Sequence, residues 1–195
     1  KIAKYISKKY KLFHLDSGIL YRRVAKSLID NKISYKNIKK IKIFLKSQKK
    51  ISHRKHITLR SERISKLTSL IAIYPFVRQF VNNQQKLAVS NILKKNTGCV
   101  IDGRDIGTKV FKNAKIKLFI DANIEIRAKR RHKQLIEQGE KSIYSHILKD
   151  LKLRDKTDIN RKESPLKIPV GAIIIDNSKS FVKTKSQINK ALQKF

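Results

Sequence analysis

The sequence predicts an α/β fold built on a doubly wound, mostly parallel sheet, on three observations. Four short apolar runs, at 12–15, 99–101, 116–120 and 172–175, suit buried strands and are too short for helices. The stretches between them carry apolar residues at helical spacing, so that strand and helix alternate along the chain. The run from Val100 then breaks into Asp102-Gly103-Arg104-Asp105-Ile106-Gly107-Thr108, which puts an Arg-Asp pair at a strand's carboxyl end. That edge is where open α/β sheets bind ligands.

The elements follow in order. Ile2, Ile6 and Tyr10 share a helical face, so the chain starts inside a helix. Leu12 to Leu15 is a strand, Asp16-Ser17-Gly18 a turn, and a second helix runs from about Ile19 to Asn31. Arg22 falls in its first turn, where a cation opposes the helix dipole unless it faces an anion; a solvated side chain is the other reading. Residues 33–57, rich in Lys and Ile without a clean period, read as a peripheral insertion. His53 and His56 have no carboxylate or thiol near them in sequence, which favours a solvated basic loop over a metal site.

From Leu59, Ile64, Leu67, Leu70 and Ile71 define a helix, and Pro75 starts the next, which carries Phe76, Phe80, Leu87 and Val89 to about Lys95. Arg78 lies in its first turn. After the strand at 116–120, Asn123 caps a helix whose Arg127, Arg130 and Arg131 share one face, tolerable when solvated and favourable against phosphate oxygens. Gly139 breaks that helix. The next runs from about Ile143, with Arg154, Asp158 and Arg161 on one face either as an ion-pair ladder or as a site. Ser164-Pro165 ends it, Ala172 to Ile175 is a last strand, and a helix closes the chain.

Composition bounds the function. The 195 residues suffice for one domain with a sizeable core. A net charge of +34 raises nucleic-acid binding, but the lysines are scattered, with no basic tail, aromatic platform or zinc-finger spacing. The single Cys excludes an internal disulfide framework and suits a cytoplasmic protein. No apolar run approaches the roughly 20 residues that span a bilayer, so no membrane partner is expected.

Five blocks together resemble one family. Leu15-Asp16-Ser17-Gly18 with Tyr21-Arg22, Tyr74-Pro75-Phe76-Val77-Arg78, Asp102 to Thr108, Arg127-Ala128-Lys129-Arg130-Arg131, and Arg154-Asp155 through Asp158 and Arg161 to Ser164-Pro165-Leu166 resemble bacterial cytidylate kinase, in that family's order and near its spacing. The resemblance implies a three-layer P-loop kinase fold with a nucleotide-monophosphate insertion and a lid, here 123–161. It implies a monomer that transfers the γ-phosphoryl of ATP to CMP or dCMP with Mg²⁺, with no specific nucleic-acid partner. By the same carry-over, Arg22, with Tyr21 beside it, and Arg104 of the Asp102 to Thr108 block grip the monophosphate. Asp105 accepts from the cytosine N4 amine with Ser17, Arg78 and Arg161 around the base, while Asp158, Arg154 and Ser69 meet the sugar. Arg127, Arg130 and Arg131 close on the ATP phosphates, and Arg131 and Arg154 stabilise the migrating group. Another nucleoside-monophosphate kinase, or a basic nucleic-acid binder, is the alternative.

The family's Walker loop, G-x-x-x-x-G-K-[ST], does not occur among these residues: the 6 glycines give no such register. The expectation is a fragment that lacks its first strand and phosphate cradle, exposes apolar surface, and is inactive alone. The insertion also looks shorter than in the family.

Overall fold

In a computed structural model, residues 1–48, 51–52, 59, 61–95 and 98–193 are described; His53 and His56 lie outside them. The chain divides into two compact units, Lys1–Ile106 and Gly107–Phe195.

The first unit holds helix α1 (Ile2–Lys9), strand β1 (Phe13–Asp16), helices α2 (Ser17–Asp30), α3 (Ile38–Ser47), α4 (Glu62–Ile71) and α5 (Pro75–Leu93), and strand β2 (Cys99–Asp102). β1 and β2 run parallel, with Phe13 opposite Cys99 and Asp16 opposite Asp102. The core lies among the helices. Leu20, Val24 and Leu28 recur every fourth residue on α2 and pack with Ile41 and Leu45 of α3, Ile64 and Ile71 of α4, and Val77 and Val81 of α5. Burying each such side chain contributes roughly 1.5–3 kcal/mol. Ser61 caps α4 by accepting from the Ile64 N–H, and Pro75 opens α5 where its missing N–H costs no hydrogen bond.

The second unit holds strand β3 (Leu118–Asp121), helices α6 (Ile124–Glu137) and α7 (Tyr144–Asn160), strand β4 (Ile173–Asp176) and helix α8 (Phe181–Leu192). β3 and β4 are parallel, Leu118 opposite Ile173 and Asp121 opposite Asp176. Asn123 caps α6 with one oxygen accepting from the N–H groups of Glu125 and Ile126, as its side chain predicts. Gly139, at φ +74, turns the chain out of α6 while its N–H reaches the Ile136 carbonyl.

The α/β alternation is as the pattern predicts, but the strands pair as two two-stranded parallel sheets rather than in one. Each strand ends one residue later than its apolar run, on an aspartate, because the ladder pairs backbone and is indifferent to the side chain at the edge. A single π-type turn, Ile106–Val110, follows the Asp102–Asp105 segment. Tyr10 falls beyond α1 and is exposed, and Leu70 and Leu87 also face solvent. On α5 the buried positions are instead Val77, Arg78, Val81, Gln84, Gln85 and Val89.

Candidate functional site

The first unit gathers several of the expected side chains at the carboxyl end of β2. Asp105 is buried and accepts from Arg78 Nη2 at 2.6 Å, each side chain only 6% exposed. Arg78 Nη1 donates to the Ala72 carbonyl at 3.0 Å, and its Cζ stands 5.8 Å from the Tyr21 ring centroid. The remaining donor, Arg78 Nε, is buried with no hydrogen-bond partner among the described residues. A buried unpaired donor costs stability unless a ligand or water completes it.

The sequence explains why these groups meet. Arg78 enters on the first turn of α5, which Pro75 fixes; Asp105 enters just past β2. Between strand and carboxylate lies Gly103, which packs against the start of α2. A Cβ built there would stand 2.3 Å from Ser17 Oγ and 2.8 Å from Ile106 Cγ1, so only glycine lets the backbone come that close. Ser17, Tyr21, Arg78 and Asp105 are thus brought together, with Arg104 exposed at the same turn. Arg22 points Nη1 to the Leu59 carbonyl at 3.4 Å. Ser69 is exposed on α4, where its hydroxyl donates to the Ser65 carbonyl of its own helix.

In the second unit the three arginines of α6, close in sequence, have different partners. Arg127 forks onto both oxygens of Asp155, at 3.1 and 2.5 Å, and its Nε reaches the Ala122 carbonyl. Donating these hydrogen bonds to Asp155 holds the Arg127 guanidinium yet more firmly in its charged form. Arg130 donates to the carbonyls of Asn177 and Lys179, at 2.6 and 2.8 Å, bracing the turn after β4. Arg131 reaches Gln134 Oε1 at 3.2 Å. Just past the end of α7, Arg161 Nη1 donates back to Asp158 at 2.9 Å, as their spacing predicts, and its Nε to the Ser164 carbonyl. Arg154 lies on the same helix.

Some contacts were not foreseen. His14 Nε2 lies 2.7 Å from Asp102 Oδ1, bridging β1 and β2. Asp155 as the seat of Arg127 was equally hidden, although its neighbour Arg154 was singled out. Gln85, 1% exposed, has neither amide atom hydrogen-bonded among the described residues. Spacing offered a signal for it: it follows Arg78 and Val81 around the same face of α5.

With this geometry in view, comparison with known proteins is decisive. A family model described as cytidylate kinase matches residues 1–195. The chain belongs to the cytidylate kinase family. The Bartonella henselae cytidylate kinase is 35% identical over 98% of this chain and 86% of its own length. The cytidylate kinases of Fusobacterium nucleatum and Rickettsia akari are 37% and 39% identical, each over 91% of this chain and over 83% and 78% of their own lengths. A cytidylate kinase needs a place for a pyrimidine monophosphate, and the Arg78–Asp105 pair beside an exposed Arg104 has the chemistry for one: a carboxylate acceptor, an unfilled donor and a cation. No helix among the described residues is long and apolar enough to cross a membrane.

Proposed function

We propose that the chain, provided with the Walker loop that its family uses, converts CMP and dCMP to their diphosphates with ATP, on a nucleoside-monophosphate kinase fold in which 33–57 is the monophosphate insertion and 123–161 the lid. The observation that carries the acceptor assignment is the buried Asp105–Arg78 pair with its unpaired Nε. Asp105 Oδ2 is taken by Arg78, so Oδ1 would accept from the cytosine N4 amine while the free Nε–H donates to an acceptor on the same ring. Uracil carries a carbonyl at that position, which the carboxylate repels. Ser17 and Tyr21 wall the base, and Arg22 and Arg104 take the monophosphate as planar forks.

In the second unit, Asp158 and Arg154 are assigned to the nucleotide sugar and Arg161 to the base, and Arg131 with Arg154 to the charge on the migrating phosphoryl. Arg127 and Arg130 are assigned to ATP. Both already hold protein acceptors, so phosphate oxygens must share or displace Asp155 and the carbonyls of Asn177 and Lys179. Such exchange is chemically easy for charge-assisted bonds of similar strength. No group of three or more His, Cys, Asp or Glu among the described residues could hold a metal ion. Mg²⁺ therefore fits as a companion of the ATP phosphates, the usual arrangement, where it would neutralise their charge. The protein's part is positioning and charge neutralisation, because the acceptor is itself a phosphate oxygen and no side chain need act as covalent nucleophile.

A coupled assay of the chain with its Walker loop restored, across CMP, dCMP, UMP and AMP, tests the reading. CMP and dCMP should lead, and Asp105→Asn, whose amide can present either an acceptor or a donor, should shrink the CMP-to-UMP preference by about 10-fold or more, within the 1–3 kcal/mol that a good base contact contributes. Unchanged discrimination removes Asp105 as the base reader. Equal rates on AMP and CMP remove the cytidylate assignment.

A further inference from the structure

The segment Asp102–Asp105 is fixed at three points. Asp105 is held by Arg78 of α5 and Gly103 lies against Ser17 of α2. The third is His14, on β1. Asp16 and Asp102 are register partners at the carboxyl ends of the two strands, a placement in which like charges repel. His14 is two residues before Asp16 and therefore on the same side of β1, diagonal to Asp102. Its Nε2 meets Asp102 Oδ1 at 2.7 Å. The imidazole is 15% exposed and so held by its surroundings, whereas the carboxylate is 52% exposed and would otherwise be free to turn. A carboxylate can only accept, so Nε2 is the nitrogen that carries the proton.

We propose that His14 is a positioning residue for the acceptor site: by holding Asp102 it fixes the end of β2 and, one and three residues on, the Gly103 approach and the Asp105 carboxylate. A rotation of the Asp102 peptide would displace Arg104 and Asp105 together, since Gly103 has no slack against Ser17. The effect falls on binding of the monophosphate substrate, not on phosphoryl transfer. The inference rests on the reading of Arg104 and Asp105 as substrate contacts.

The test uses the chain with its Walker loop restored and two sets of variants. His14→Leu removes the donor and should raise KM for CMP about fivefold while kcat changes less than about twofold, the pattern of lost ground-state binding. In an Asp102→Ala background the same change should add less than about twofold, because its route of action is already gone. His14→Gln and His14→Asn keep the strand polar and carry the test should the Leu variant fail to fold. The longer amide sets a donor near the place of Nε2 and the shorter one does not, so Gln should retain a KM at least about threefold below that of Asn. Equal KM values for Gln and Asn, or a full additional loss in the Asp102→Ala background, overturn the proposal. Failure of the underlying reading is separate: there Asp105→Asn itself leaves the CMP-to-UMP preference intact.

Discussion

Arg78 and Asp105, 27 residues apart in sequence, meet at 2.6 Å with both side chains almost wholly out of water. An ion pair so placed is costly to break and cheap to replace, because removing one partner strands the other charge in a medium that cannot solvate it. Arg78→Met should therefore destabilise the protein by roughly 3–5 kcal/mol, and Arg78→Met with Asp105→Leu should recover most of that loss. Urea unfolding of wild type, single and double variants measures both. Recovery of fold in the double variant without recovery of CMP binding would separate the pair's structural role from its chemical one.

Gly103 is open to a similar test. An added methyl must displace Ser17 Oγ, 2.3 Å from where it would stand, or push the turn outward. Gly103→Ala should cost about 1–3 kcal/mol, in the range of overpacked interiors. Ser17→Ala removes the nearer obstacle and should reduce that cost, leaving only the contact with Ile106. Thermal unfolding of the four combinations measures the coupling; independent, additive losses would show that the close approach does not constrain the turn.

Asp176 gives the stability a pH dependence. Its carboxylate accepts the Ser178 backbone N–H at 2.7 Å, and bonds to Ser178 hold it below its ordinary value of 3.8. A carboxylate depressed in the folded state contributes stability above its unfolded value, and loses it as pH falls through the folded one. Asp176→Asn should thus be less stable than wild type near neutrality, the gap closing as pH falls below 3.8. Denaturant midpoints of the two proteins at pH 7 and pH 3 give the comparison; a constant gap would show that the side chain acts without its charge.

Much of this architecture is readable from residue order, and the limits have physical causes. Short apolar runs mark the strands of the described residues and helical periodicity most of their helices, α3 within the Lys-rich 33–57 being the exception, since burial is a local pattern when an element has one face to hide. It failed where function of the backbone, not the side chain, decided the boundary: Asp16 and Asp102 extend their strands because ladder bonds ignore side-chain type. Arg78 and Asp105 were both marked for a ligand, yet their bond to each other was invisible, as pairing across α5 and β2 depends on packing that no spacing encodes. The same holds for Arg127 and Asp155 on different helices. By contrast Asp158 on α7 and Arg161, the residue that caps it three positions on, declare their contact by their spacing.

Among the described residues all four strands end on aspartate: Asp16, Asp102, Asp121 and Asp176. Asp121 and Asp176 accept from the N–H groups of Ala122 and Ser178 just beyond, and Asp102 pairs with His14, so these carboxylates act as punctuation where an extended chain must stop and turn. In a sequence with 48 lysines and arginines against 14 acids, that usage makes the anions the scarce and informative letters. Lysines can be exchanged across the solvated faces with little consequence for the fold. Reversing the charge at Asp121 or Asp176 would remove the acceptor that holds the first N–H groups past the strand, and at Asp102 the partner of His14, loosening the turns that follow.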